Sequence, residues 1–216
     1  MLVSEKRRFL FVHVQKTGGS TVSELLKQTV SDARSLHPRH MCLREAIERE
    51  RIPEGSFRFA FVRNPWDRLV SWYTMIDRAR RKRLSWDEDS VQRDRFQQNP
   101  LYRSVLLHAP TFEDFVKNCT QTHMVQGVPY SFALDQLSYV TDEGGKMLAD
   151  FVGRFEHFEE DLTHVFDRLG LSVPDIPHKN RGRPRRHYSE FYTPELEEIV
   201  HQRFKRDIEA FGYVFG

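Results

Sequence analysis

Residues 13–21 read HVQKTGGST. Lys16 supplies a full positive charge, and Thr17, Ser20 and Thr21 supply hydroxyl donors. Gly18 and Gly19 permit positive φ and a close approach of backbone to ligand. That set suits an anion; the plain alternative is a tight turn with a surface lysine. The lysine precedes the glycines, whereas the Walker pattern GxxxxGK[ST] places it after them. Ser20 or Thr21 can touch a metal, but Glu156 is the best acidic strand-end partner available, and a poor one. A magnesium-nucleotide hydrolase is therefore disfavoured. Residues 61–73, FVRNPWDRLVSWY, hold a second candidate: Arg63, with Ser71 eight residues on. The planar fork of an arginine suits a phosphate. The alternative is an Arg63–Asp67 ion pair with Ser71 as a helix-surface hydroxyl.

The elements around these residues decide whether they can act together. Residues 9–14, FLFVHV, are aromatic and β-branched and read as a buried strand. Val22, Leu25, Leu26 and Val30 follow at helical spacing, so the glycine loop joins a strand to a helix. There the unpartnered N–H groups and the helix dipole add to its affinity for anions. FRFAFV, 57–62, reads as a second strand, which places Arg63 at its C-terminal end, where α/β folds bind ligands. Asn64 is an N-cap candidate, Pro65 a first-turn proline, and Leu69, Val70, Tyr73 and Ile76 form a helical stripe. Residues 150–156 read as a third strand, followed by a helix with Phe158, Leu162, Val165, Phe166 and Leu169 on its apolar face and Gly170 at its end. A last helix starts at Thr193-Pro194, carries Leu196, Ile199, Val200 and Phe204, and stops before Gly212. Residues 78–104 are charge-dense and weakly periodic, an exposed helix or a mobile loop. Strands alternating with helices imply an α/β fold with a mostly parallel sheet covered on both faces.

Composition narrows the class. A chain of 216 residues with 39% hydrophobic and 30% charged residues suits one compact soluble domain, residues 1–216. A net charge of +2 gives no argument for nucleic-acid binding. Cys42 and Cys119 have no Cys or His at ligand spacing, so free thiols in a reducing compartment and no metal site are expected. The N-terminus turns polar too soon for a signal peptide, and no run approaches the ~18 apolar residues of a membrane helix. If the chain is complete, a cytoplasmic location follows.

Taken together, the two motifs carry a resemblance. HVQKTGGST resembles the 5′-phosphosulfate loop of PAPS-dependent sulfotransferases, and FVRNPWDRLVSWY their 3′-phosphate motif. The blocks QLSYVTDEGGKMLADFVGRFEHFEEDL and HYSEFYTPELEEIV are similar to the carbohydrate-type enzymes related to the heparan and chondroitin sulfotransferases. The resemblance implies a three-layer α/β/α, P-loop NTPase-like sulfotransferase fold. It implies PAPS as donor, adenosine 3′,5′-bisphosphate as product, no metal, and a hydroxyl-bearing acceptor, most readily a sugar or glycan. Lys16, Thr17, Gly18, Gly19, Ser20 and Thr21 would hold the 5′ side, with Lys16 also offsetting charge on the departing phosphate. Arg63 and Ser71 would hold the 3′-phosphate.

The acceptor hydroxyl needs a base, and the resemblance places it after the first helix, in SLHPRHMCLREA. His40 fits better than His37 because a helix-like run follows it directly; a capping or surface histidine is the alternative. His13 reads as structural, within the strand, with a side chain that can face the cleft. In HKNRGRPRRHY, 178–188, the resemblance suggests a loop over the bisphosphate with Lys179, Arg181, Gly182 and Arg183 as contacts; a solvated basic linker is the alternative. RARRKR, 78–83, reads first as a solvated charged helix and second as an attractor of anionic glycans.

Two other classes compete. A P-loop-like nucleotide kinase or NTPase shares the fold and the first loop but lacks the lysine position and a clear acidic metal site. A polyanion binder using 78–83 and 178–186 has no need of the glycine loop. If the chain is complete, the expected lack of an anchor departs from lumenal glycan sulfotransferases and leaves a small metabolite, a lipid or a surface-sugar precursor open as acceptor.

Overall fold

The computed structural model describes residues 1–83, 98–176 and 186–216. The chain divides into two compact units, Met1–Arg63 with Gln136–Arg185, and Asn64–Asp135 with Arg186–Gly216.

The first unit is built on a five-stranded sheet. Its strands are β1 (Leu2–Ser4), β2 (Phe9–Val12), β3 (Arg34–Ser35), β4 (Phe57–Val62) and β5 (Phe151–Arg154), in the spatial order β3-β1-β2-β4-β5. β2, β4 and β5 pair in parallel, and β1 is antiparallel to both of its neighbours, so β1 alone opposes the common direction. Two helices, α1 (Gly19–Thr29) and α2 (Leu43–Arg49), follow early in the chain, and α6 (Phe158–Arg168) follows β5.

Phenylalanine alternation sets the core. Residues two apart on a strand share a face, which puts Phe9, Phe11, Phe57, Phe59 and Phe61 together. The Phe11 and Phe59 rings stack with centroids 5.2 Å apart, and Phe57 and Phe59 at 5.3 Å. Val22, Leu25 and Leu26 of α1 and Leu162, Val165 and Phe166 of α6 pack onto this face. Each such buried side chain contributes about 1.5–3 kcal/mol. Leu10, Val12, Ala60 and Val62, which point the other way, are buried too. Both faces are thus covered, as in an α/β fold whose central, mostly parallel sheet is flanked by helices.

The second unit contains α3 (Pro65–Arg83), α4 (Pro100–His108), α5 (Phe112–Asn118), α7 (Pro194–Arg203) and α8 (Lys205–Phe211), with a small hairpin of His123–Val125 and Val128–Tyr130. Asn64 caps α3, its Oδ1 accepting from the Trp66 N–H at 3.1 Å and the Asp67 N–H at 3.4 Å. Asn64 Nδ2 donates to the Val214 carbonyl at 3.0 Å, tying the start of α3 to the C-terminal segment. Thr193 caps α7 through the Leu196 N–H at 3.3 Å, with Pro194 in its first turn.

The structure departs from the sequence reading at several boundaries. The strand expected over 9–14 ends at Val12, and that over 150–156 gives way to a 3-10 turn at Phe155–His157. β1 went unread because it is three residues long and its turn to β2 uses Arg8 at φ 48°, with no glycine or asparagine to mark it. The last helix is two helices that meet at Phe204, whose φ of −111° breaks the run. Val200, Phe204, Ile208 and Phe211 keep helical spacing across that break, so the sequence carries no sign of it. Residues 78–83 continue α3, 100–104 form the Asn99-capped start of α4, and 84–97 lie outside the described residues.

Candidate active site

The glycine loop begins where β2 stops. The Val14 N–H donates back to the Val12 carbonyl at 3.2 Å. Thr17 is buried and donates its hydroxyl to the Val14 carbonyl at 2.9 Å, so this hydroxyl braces the loop, and the backbone N–H is what Thr17 can offer a ligand. Lys16 has φ 69° and Gly18 φ 83°. For a non-glycine residue such as Lys16 the left-handed region costs about 1–2 kcal/mol, which neighbouring contacts must offset. A left-handed residue followed by a helical one, as at Gly18–Gly19, turns successive N–H groups toward one concavity suited to anions. α1 starts there with no side-chain cap and no acidic residue in its first turn. The positive end of its dipole is left without a carboxylate from its own first turn.

Space demands both glycines. A Cβ on Gly18 would lie 2.6 Å from a ring carbon of Phe158, and one on Gly19 would lie 2.4 Å from the ring of His13.

His13 is 4% exposed and sits under the start of α1. Its Nδ1 accepts from the Arg39 Nε–H at 3.1 Å, and Arg39 Nη2 donates to Ser20 Oγ at 3.2 Å. Burial above all, then the electrostatic influence of His40, the Met1 amine and Arg39, holds His13 far below the ordinary imidazole range. It is neutral, with its one proton on Nε2, on the ring edge beside Gly19. His40 lies against it, ring centroids 4.7 Å apart, with Nδ1 2.7 Å from the His13 carbonyl oxygen. A carbonyl only accepts, so Nδ1 of His40 carries the proton and Nε2 holds the lone pair of the neutral ring. That is the tautomer a general base requires, oriented by backbone. His37 is exposed, and among the described residues it makes none of the loop's hydrogen bonds.

The second motif meets the first. Strands β2 and β4 are parallel neighbours, so the loop and Arg63 leave the same sheet edge. Arg63 is 5% exposed; its guanidinium lies 4.1 Å from the centroid of the Phe155 ring, and Nη1 donates to the Lys16 carbonyl at 3.3 Å. The fully buried Gln136 holds its backbone from both sides: Oε1 accepts the Arg63 N–H at 2.9 Å, and Nε2 donates to the Arg63 carbonyl at 2.7 Å. Tyr139, in a 3-10 turn over Leu137–Tyr139, donates its hydroxyl to Gln15 Oε1 at 3.2 Å.

Lys16, Thr17, Gly18, Gly19, Ser20, Thr21, Arg63 and His40 all belong to the first unit. Ser71 lies within α3, half-buried, in the second. Glu156 is exposed in the 3-10 turn after β5. Lys179, Arg181, Gly182 and Arg183 lie outside the described residues. Among the described residues no group of three or more His, Cys, Asp or Glu side chains is placed to hold a metal ion.

Sequence reasoning passed over Arg39, Gln136, Tyr139 and Phe155. Arg39 stands between the two histidines of SLHPRHM, and Gln136 heads the block QLSYV, so both lay inside stretches singled out for other residues.

A glycine loop at a strand-to-helix turn of an α/β fold, with a buried arginine from the adjacent parallel strand against it, is an arrangement suited to an anion. The model of the Sulfotransferase family matches residues 1–214, and the chain belongs to that family. The crystal structure of a sulfotransferase from Alicyclobacillus acidocaldarius is similar over 96% of each chain, at 16% identity and a TM-score of 0.36. No curated protein matches the chain.

Proposed function

We propose that the chain transfers a sulfuryl group from PAPS to a hydroxyl of its acceptor, a sugar or glycan in the first instance, with His40 as general base. The observation that carries the reading is the Arg63 guanidinium against the Lys16 carbonyl at 3.3 Å. It joins two cationic motifs at one sheet edge, as a donor with a sulfated 5′-phosphate and a separate 3′-phosphate demands. The loop N–H groups and Lys16 bind the 5′ side, and Arg63 binds the 3′-phosphate. The roles of Ser71, Lys179, Arg181, Gly182 and Arg183 at the bisphosphate rest on the resemblance alone. The match of the family to both units supports one sulfotransferase domain over 1–216.

In the transfer, the acceptor oxygen forms a bond to sulfur while the bond from sulfur to the 5′-phosphate oxygen breaks. The electron pair stays on the phosphate, where Lys16 and the loop N–H groups stabilise the growing charge. The acceptor proton passes to Nε2 of His40. A cytoplasmic location, with Cys42 and Cys119 as the free thiols they are in the structure, completes the proposal. Among the described residues no helix is long and apolar enough to cross a membrane.

Thermal melting with adenosine 3′,5′-bisphosphate, against ATP-magnesium and against AMP, tests the reading. At about 100 times its dissociation constant a ligand stabilises by about 2.7 kcal/mol. A large shift with the bisphosphate is expected. A shift with ATP-magnesium and none with the bisphosphate would replace this reading by the nucleotide-kinase alternative.

A further inference from the structure

The opposite end of the sheet holds a second concentration of positive charge. A groove of about 620 Å³ opens at the amino-terminal ends of β4 and β5, lined by Arg7, Arg8, Arg58 and Arg168 with His164 and Asp150. Among the described residues, none of these four guanidinium groups forms an ion pair. Arg7 donates to the Leu169 carbonyl at 3.3 Å, Arg8 donates to the Glu54 carbonyl, and Arg168 lies 5.6 Å from the Phe57 ring centroid. The one carboxylate among the described lining residues, Asp150, accepts the backbone N–H of Arg58 at 2.7 Å. Arg58 Nε is buried and has no hydrogen-bond partner among the described residues.

A buried, unsatisfied guanidinium N–H is costly, and four like charges around one groove repel one another. An oxyanion in the groove removes both penalties, because its oxygens accept from the guanidinium forks and its charge offsets theirs. Arg58 and Arg63 bracket most of β4, so at about 3.3 Å per residue the groove lies roughly 17 Å from the glycine-loop edge. It is thus separate from the donor site.

We propose that this groove is a second oxyanion site, which takes the sulfate or phosphate group of a ligand on the Arg58 and Arg168 forks with Arg7 and Arg8 at the rim. The probe is sodium sulfate, titrated against sodium chloride at matched ionic strength, with arginine Nε–H signals followed by ¹⁵N NMR. Arg58→Gln assigns the Arg58 signal by its loss. The expected result is a saturable sulfate-induced shift of that signal, retained in Lys16→Ala and weakened about tenfold or more in Arg168→Gln, the size of a charge-assisted hydrogen bond. Arg168 is exposed, so its variant keeps the test valid if Arg58→Gln does not fold. Parallel titrations with inorganic phosphate and a sulfated monosaccharide separate a free anion from an ester: tighter binding of the saccharide assigns an ester-bearing ligand, and tighter binding of the inorganic ions assigns a free anion. A shift that only tracks ionic strength, or one abolished by Lys16→Ala, overturns the proposal.

Discussion

Gln136→Met tests how Arg63 is held. Gln136 is fully buried, and its amide makes two hydrogen bonds, of 2.9 and 2.7 Å, to the N–H and carbonyl of Arg63. Methionine nearly conserves the volume, so the cavity contribution stays small. What remains is two buried backbone groups without partners, each costing about 1–3 kcal/mol, or roughly 2–6 kcal/mol together. Urea unfolding should show a lower midpoint at unchanged m-value. Calorimetry should show weaker binding of adenosine 3′,5′-bisphosphate, because Arg63 is no longer anchored at the sheet edge. Gln136→Glu adds a pH signature. A buried carboxyl has a raised pKa, so the native state binds more protons than the unfolded state between about 4.3 and that raised value. Stability should then fall as pH rises through this window, by about 1.4 kcal/mol per unit. A Gln136→Met protein that loses under about 1 kcal/mol and binds the bisphosphate as before would refute the clamp, since even one orphaned group costs that much.

Four further outcomes are expected. Gly19→Ala places a Cβ 2.4 Å from the His13 ring, so it should destabilise by about 1–3 kcal/mol in thermal melting and weaken bisphosphate binding; a neutral result would mean that His13 is not packed against the helix start. His13 is held neutral by burial, so below about pH 6.5 the unfolded state binds the extra proton and stability should drop by about 1.4 kcal/mol per unit as pH falls. His13→Gln should flatten that slope in urea unfolding between pH 7 and 5, and an unchanged slope would assign it to other groups. Lys16→Ala should lower turnover far more than affinity for the bisphosphate, and equal losses would make Lys16 a binding residue only. His40→Ala should abolish transfer and leave bisphosphate binding intact; substantial remaining activity would move the base to His37 or elsewhere.

The strand–loop–helix setting of the glycine loop was readable from its residues because its properties are local. Gly18 and Gly19, between a run of buried strand residues and a helical stripe, already imply open N–H groups at a helix start. The Asn64-Pro65 and Thr193-Pro194 starts were equally local, since a cap and a first-turn proline act within one turn of chain. Between His37 and His40 the sequence offered two candidates for the proposed base, but the tautomer and orientation of His40 follow from the His13 carbonyl, 27 residues away along the chain.

The sequence by itself determined the types of the elements that flank the two motifs, the strand–loop–helix setting of Lys16 to Thr21 and the strand-end place of Arg63, because side-chain periodicity, glycine freedom and capping act over a few residues. Only the tertiary structure decided that Arg63 meets the Lys16 carbonyl, that Gln136 clamps Arg63 from 73 positions away, and that Arg39 bridges His13 and Ser20. These contacts join residues distant along the chain, and they form because parallel pairing of β2 with β4 brings two loop ends to one edge and buries polar groups that must find partners there.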